Sequence, residues 1–139
     1  MQNTVLIDSG VLIALFDTSD NYHLQAVEFI KTNKAKLITS LAVITEVCYL
    51  LDFSIEAQLD FLRWVRQGAI DIENLIITDL DRLIDLCRKY SDLPMDFADA
   101  TLVVLAERLD IKNIATVDSD FYIYRFKNKQ SFNNVFLAT

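Results

Sequence analysis

Residues 4–16 read TVLIDSGVLIALF. Thr4 to Ile7 is a short run of β-formers that stops at Asp8, and a helix from about Gly10 to Phe16 can follow it. A strand that ends on an acid and hands over to a helix fits one repeat of a parallel α/β sheet, and the rest of the chain keeps the alternation. After the polar break Asp17 to Asn21, His23 to Thr32 reads helical. Lys36 to Thr39 reads as a strand. Leu41 to Leu51 is apolar nearly all round, apart from Thr45 and Glu46, the pattern of a buried helix. Ile55, Leu59, Leu62 and Val65 mark one face of a helix that stops at Gly68. Ile70 to Ile76 holds a short strand, Leu80, Leu83, Ile84 and Cys87 mark an amphipathic helix, and Pro94 breaks the chain. Asp96 to Leu109 is helical. Ile114 to Val117 repeats the opening motif, a strand ending at Asp118, and Val135 to Ala138 is a last strand candidate. There is no Pro- or Gly-rich linker, no repeat and no low-complexity tract. Residues 1–139 therefore read as one α/β domain with a mostly parallel sheet.

Composition narrows the chemistry. Of 139 residues, 53% are apolar and 24% charged, a globular balance. Acids outnumber bases 20 to 13, giving a formal charge of −7. That argues against a nucleic-acid coat or a membrane-surface protein, which carry basic excess. Two Gly are too few for a Gly-rich phosphate loop, and one His with two Cys cannot supply the four ligands of a structural zinc. The longest apolar run, Val11 to Phe16, is far short of a membrane span. The first basic residue is Lys31, so no secretory signal is expected, and Cys48 and Cys87 read as buried thiols of a cytoplasmic protein. The abundant reagent is carboxylate.

Several acids fall at informative places. Asp8 and Asp118 close two strands. Glu46 lies on the helix after the second strand, and Asp96 and Asp99 open the helix that ends at Leu109. In a parallel sheet, strand ends and the starts of the following helices share one edge, where ligand sites collect. Asp99 is the one ionisable residue between Phe97 and Ala106, and Glu46 has a similarly apolar setting. A lone charge there costs several kcal/mol, as an order of magnitude, unless paired or metal-bound, and no Lys or Arg is near either in sequence. Carboxylate oxygens suit hard cations such as Mg2+ or Mn2+. Each acid also has a plain structural reading. Asp96 is a good N-cap, Asp99 completes something like a capping box, Asp8 can cap the helix behind it, and Asp118 and Asp120 can be turn residues.

The pieces LIDSGVLIALFD around Asp8, TSLAVITEV around Glu46, DFADATL around Asp99 and ATVDSDF around Asp118 together resemble the PIN-domain nucleases, and within them the VapC-type toxin ribonucleases. The resemblance runs from the first strand to about residue 121. It implies a three-layer α/β/α sandwich and a metal-dependent ribonuclease. It also implies that Asp8, Glu46, Asp99 and Asp118 are catalytic acids that bind Mg2+ or Mn2+, with Asp96 and Asp120 auxiliary. Family members often form homodimers and are neutralised by a small antitoxin. Arg125, Lys127 and Lys129 follow Asp118 closely and are the candidates for contacting RNA phosphates, or form a solvated tail. Phe121, Tyr122, Tyr124 and Phe126 either pack or stack on bases. The alternative from another class is a catalytically silent module of the same fold that binds a partner protein or RNA.

Overall fold

The opening run is a strand, β1 (Thr4–Ile7), with Val5, Leu6 and Ile7 all buried, as a strand covered on both faces requires. The computed structural model describes residues 3–93 and 95–137. After β1 come α1 (Ser9–Phe16), α2 (His23–Thr32), β2 (Lys36–Ser40), α3 (Leu41–Leu50) and α4 (Ile55–Arg66). Then follow β3 (Asp71–Glu73), α5 (Asp79–Lys89), α6 (Phe97–Leu109) and β4 (Asn113–Ala115). A 3-10 turn at Ser119–Tyr122 leads to β5 (Arg125–Phe126), β6 (Gln130–Ser131) and β7 (Asn133–Asn134).

Five strands form one sheet in the order β3-β2-β1-β4-β7, every pairing parallel, and β5 with β6 makes a separate antiparallel hairpin. From β1 the chain steps outward to β2 and β3, then crosses back past β1 to β4. Right-handed crossovers therefore put α1 to α4 on one face and α5 and α6 on the other. In the packing α1 lies against α2, α3 and α4, α5 lies against α6, and α3 also meets α6, where the Ser40 and Thr101 hydroxyls bond at 2.8 Å. The result is the expected three-layer sandwich around a mostly parallel sheet. Ala98 to Ala106 of α6 are all buried, which makes α6 the central helix of its layer.

The differences from the sequence expectations have local causes. β4 stops at Ala115, not Val117, because Thr116 leaves the ladder and bonds the acid site instead. The last strand is Asn133–Asn134, not Val135 to Ala138; after Asn134 the chain turns, with the N–H groups of Phe136 and Leu137 both donating to Asn134 Oδ1. Ala138 and the Pro94 break lie outside the described residues. α3 is not buried all round: Val43, Ile44 and Val47 face the core, while Leu41, Tyr49 and Leu50 face outward. In α4 the inward residue is Phe61, and Ile55 and Leu62 face solvent. Phe16 of α1 sets that face, making edge contacts at 5.6 Å with both Phe61 and Trp64. Cys48 and Cys87 are free thiols, half-buried and not buried.

Two glycines serve geometry. Gly68 ends α4 at φ +91°, a left-handed position with its N–H on the Val65 carbonyl. Gly10, in the first turn of α1, is pressed so closely on Val117 that an added Cβ would overlap Val117 Cγ2. Val117 is β-branched and stiff at χ1, so it cannot turn aside cheaply. Gly10→Ala is expected to destabilise the fold by about 1–3 kcal/mol in urea unfolding. Adding Val117→Ala should recover most of that loss, and an equal loss in the double variant would place the strain elsewhere.

Candidate metal centre

The sheet order reverses beside β1, which has β2 on one side and β4 on the other. The helix that follows β1 lies on one face and the helices that lead into β4 lie on the other, and the crevice beyond the carboxyl ends of β1 and β4 is open to side chains. Asp8 is the residue after β1, and its N–H donates to the Ala115 carbonyl at the end of β4, 3.0 Å away. Its carboxylate caps α1: Oδ1 accepts from Ser9 N–H at 2.7 Å, and Oδ2 accepts from Thr116 Oγ1 at 2.9 Å.

Asp118 reaches the same crevice from the other strand. It caps the 3-10 turn, with Oδ1 accepting from Asp120 N–H at 2.9 Å, and its own N–H donates to Thr116 Oγ1 at 2.9 Å. Asp99 comes from the first turn of α6. The exposed Asp96 caps that helix by accepting from Asp99 N–H at 2.8 Å, and the buried Tyr124 hydroxyl donates to Asp99 Oδ2 at 3.4 Å. One carboxylate oxygen from each of Asp8, Asp99 and Asp118 lies within 4.8 Å of the others.

The cluster is electrostatically costly. Burial pushes the Asp8 carboxyl up to about 6, against the opposing bonds from Ser9 and Thr116. Asp99 is pushed up to about 8, first by burial and then by the charges of Asp8, Asp96, Asp118 and Glu46. Burial also raises Asp118, against the bond from Asp120. The Tyr124 hydroxyl is driven well above its ordinary range by burial and by Asp99, so it stays a donor. Among the described residues, the ion pairs of the protein are Lys36–Asp71, Arg63–Asp60, Arg82–Glu107 and Arg108–Asp79, and none involves a site acid. Three hard oxygen donors gathered without a base fit a divalent cation. Such an ion would be held by Asp8, Asp99 and Asp118.

Glu46 stands one step outside this triad. It is half-buried on α3, and Ser9 Oγ donates to its Oε1. Its charge reaches Asp8 and Asp99, so it belongs to the same crevice. Asp120 sits in the 3-10 turn, binding Asp118 through its backbone. The basic candidates are not gathered with the acids. Arg125 turns its guanidinium back onto the carbonyls of Tyr122, Ile123 and Tyr124. Lys127 and Lys129 belong to a hairpin turn docked at the far end of α6, where Lys127 N–H donates to Glu107. Asp99 and Glu107 are eight residues apart, about 12 Å along a helix. Lys127 and Lys112 rest on the Phe126 ring, and with Lys129 they line a hollow beside the start of β4. The separation arises because β5 and β6 carry the chain away from Asp118 and back. Phe121, Tyr124 and Phe126 are buried packing residues, while Tyr122 is exposed. His23 joins helices, with Nδ1 on the Ala14 carbonyl at 2.7 Å.

Ser9, Thr116 and Asn134 carry no site expectation from the sequence, and Tyr124, expected to pack or stack on bases, is instead a donor to Asp99. Ser9 and Thr116 lie one and two positions from an acid, a spacing that could have flagged them. Asn134 and Tyr124 carry no such signal, since their partners are distant in the chain.

Residues 5–127 match the PIN domain family. Ribonuclease VapC26 of Mycobacterium tuberculosis is 31% identical over 116 residues, 82% of this chain and 86% of that protein. Ribonuclease VapC1 of Aquifex aeolicus is 27% identical over 129 residues, 85% of this chain and 83% of that protein. The crystal structure of Mycobacterium tuberculosis VapC20, described as a sarcin-ricin loop cleaving toxin, shares the fold with a TM-score of 0.75 and 18% identity. That likeness covers 84% of this chain and 91% of that one.

The raised carboxyls give a pH signature in metal-free buffer. A carboxyl whose folded pKa exceeds its unfolded value of 3.8 contributes stability below that value. It loses the contribution as pH rises through the folded value, about 6 for Asp8 and about 8 for Asp99. Asp99→Asn should therefore melt several degrees above the parent protein at pH 8.5, and the gap should shrink steadily as pH falls toward 4, because the charge penalty accumulates between the unfolded and folded values. A gap that is constant with pH would show that Asp99 is not paying a charge penalty.

Proposed function

Since this chain belongs to the PIN domain family, we propose that residues 1–139 act as one nuclease domain that hydrolyses RNA phosphodiesters, as the toxin of a toxin–antitoxin pair. The observation that carries the reading is the triad of Asp8, Asp99 and Asp118, with oxygens within 4.8 Å of one another and no base among the described residues to neutralise them. The ion assigned to it is Mg2+ or Mn2+, which both take oxygen ligands. When bound, such an ion supplies a Lewis acid that lowers the pKa of water and offsets charge on the phosphoryl group during in-line displacement.

The chain's own groups hold the geometry. Asp8 is fixed through both oxygens, by Ser9 and Thr116. Tyr124 holds one oxygen of Asp99, and Ser9 holds Glu46, the fourth catalytic acid in this assignment. Asp96 and Asp120 are auxiliary, shaping the first turns that present Asp99 and Asp118. Proton transfer needs no histidine in this scheme, which agrees with the single, structurally engaged His23.

We assign Lys127 and Lys129, with Lys112, to a distal stretch of RNA, since they lie away from the acids. Arg125 is committed to backbone carbonyls, so its part in RNA contact is the weaker assignment. The partners assigned are a small antitoxin and a second copy of this chain, in the cytoplasm. The support is the outward apolar face of α3, where exposed Leu41 and Tyr49 each border a hollow that exposed Phe97 also lines. No helix among the described residues is long and apolar enough to cross a membrane.

Purified protein should cut RNA with Mn2+ or Mg2+ and stop on addition of EDTA. Asp8→Asn and Asp99→Asn should each lower kcat by about 100-fold or more, the scale of removing a key electrostatic group. Metal-dependent cleavage surviving in both variants would move the site elsewhere. Protein that melts identically with and without Mn2+ would favour the silent module, because an ion at 100 times its Kd stabilises by about 2.7 kcal/mol. Lys127→Ala with Lys129→Ala should raise KM several-fold and flatten its salt dependence, with little change in kcat. An unchanged salt slope would remove these lysines from the RNA path.

A further inference from the structure

Thr116 is fully buried and lies just beyond the last paired residue of β4. Its hydroxyl engages two site acids at once, donating to Asp8 Oδ2 and accepting from the Asp118 N–H, each at 2.9 Å. The hydroxyl can do this only while the Thr116 backbone stays where it is. One side chain holds that backbone. Asn134 Nδ2 donates to the Thr116 carbonyl at 3.0 Å, and the Thr116 N–H donates to Asn134 Oδ1 at 3.5 Å.

The strand register explains the arrangement. Asn134 pairs with Ile114, two residues short of Thr116, and Val135 N–H closes on the Ile114 carbonyl. Beyond that the β7 chain turns away, because Asn134 Oδ1 also accepts from the N–H groups of Phe136 and Leu137, at 3.0 and 3.3 Å. The Asn134 amide thus supplies the next rung of a ladder whose backbone has ended. With Asn134 at 9% exposure and Thr116 at 0%, water has little access to replace it. A buried N–H and C=O left without partners cost about 1–3 kcal/mol each, so Thr116 would shift to recover them. That shift would carry Asp8 and the Asp118 backbone with it.

We propose that Asn134 is a positioning residue of the metal centre, acting through Thr116 to hold Asp8 and Asp118 at the spacing a divalent cation needs. The inference rests on the metal-centre reading above, and it extends the site past residue 127, where the match to the PIN domain family ends. Asn134 touches none of the acids itself among the described contacts. Outer partners of metal ligands are worth roughly 10–100-fold in affinity.

The test is Mn2+ binding by calorimetry, with no RNA and no cleavage. Asn134→Ala and Thr116→Val should each weaken Mn2+ by about 10-fold, and the double variant should bind no worse than the weaker single, because both break one link. Asn133→Ala removes the exposed Nδ2 bond to Asn113 Oδ1 on the same strand pair and should bind Mn2+ like the parent protein. Losses that multiply in the double variant overturn the proposal, and so does an equal loss in Asn133→Ala, which would reduce β7 to packing. Should Asn134→Ala fail to fold, Asn134→Asp replaces it, keeping the acceptor and deleting the donor to Thr116; parent-like Mn2+ affinity there overturns the proposal. Parent protein that binds Mn2+ without cutting RNA defeats the nuclease reading and leaves this inference standing. Parent protein that binds no Mn2+ overturns both.

Discussion

Three carboxylates held against one another at the end of β1 and β4 are the constraint on which the rest of this structure turns. Two unit charges 4 Å apart repel by about 4 kcal/mol at an effective dielectric near 20, and burial adds to that. Hydrogen bonds offset part of the cost. A bond to a charged group is worth about 1.5–3 kcal/mol, and Asp8 and Asp118 each cap a helical turn whose free N–H groups favour an anion. These magnitudes do not discharge three acids. Asp8 and Asp99 remain displaced toward the neutral form, Asp99 as far as about 8. The caps and hydroxyls fix where the oxygens lie, and a cation relieves the charge that they leave.

The topology serves that constraint at several scales. Among the described residues the strand order reverses beside β1, and there two strand ends deliver acids to one crevice. Gly10 lets α1 begin tight against Val117, next to Asp118, so the two strand ends stay close. α6 brings Asp99 to the same crevice in its first turn, and the Asp96 cap sets where that turn starts. The short β4 is part of the same device. Ending the ladder at Ala115 frees Thr116 to bond acids, and Asn134 replaces the pairing that Thr116 gives up.

Some of this was readable from residues 4–16 and the later acids, because a strand, an acid and a helix start are neighbours in sequence. Short β-rich runs and the 3.6-residue period announce β1 to β4 and α1 to α6, and the parallel sheet follows from their alternation, whereas β5, β6 and β7, of two residues each, leave no such pattern. The hidden parts depend on partners far along the chain. Thr116 and Asn134 are 18 positions apart, and nothing in either neighbourhood announces their bond. α3 shows the other limit. Its composition marks it as apolar but not how much of that surface its own chain covers, and the fold leaves Tyr49 72% exposed. Lys127 and Lys129 failed to join the acids for a similar reason. Proximity to Asp118 in sequence is undone by a hairpin whose turn, at Lys127 and Asn128, takes positive φ angles.

That hairpin bears on how an acidic protein handles a polyanion. Acids crowd one end of the sheet, and Lys112, Lys127 and Lys129 stand at the other, more than a helix turn or two away. The offset of about 12 Å along α6 exceeds the screening length of about 8 Å at physiological salt. At such an offset the field of the lysines is largely screened at the acid crevice. Under the nuclease reading, attraction at the crevice must come from the cation that the acids hold, and the lysines can add affinity only for an RNA long enough to reach both ends. The formal charge of −7 is then a constraint on substrate length rather than an objection to RNA.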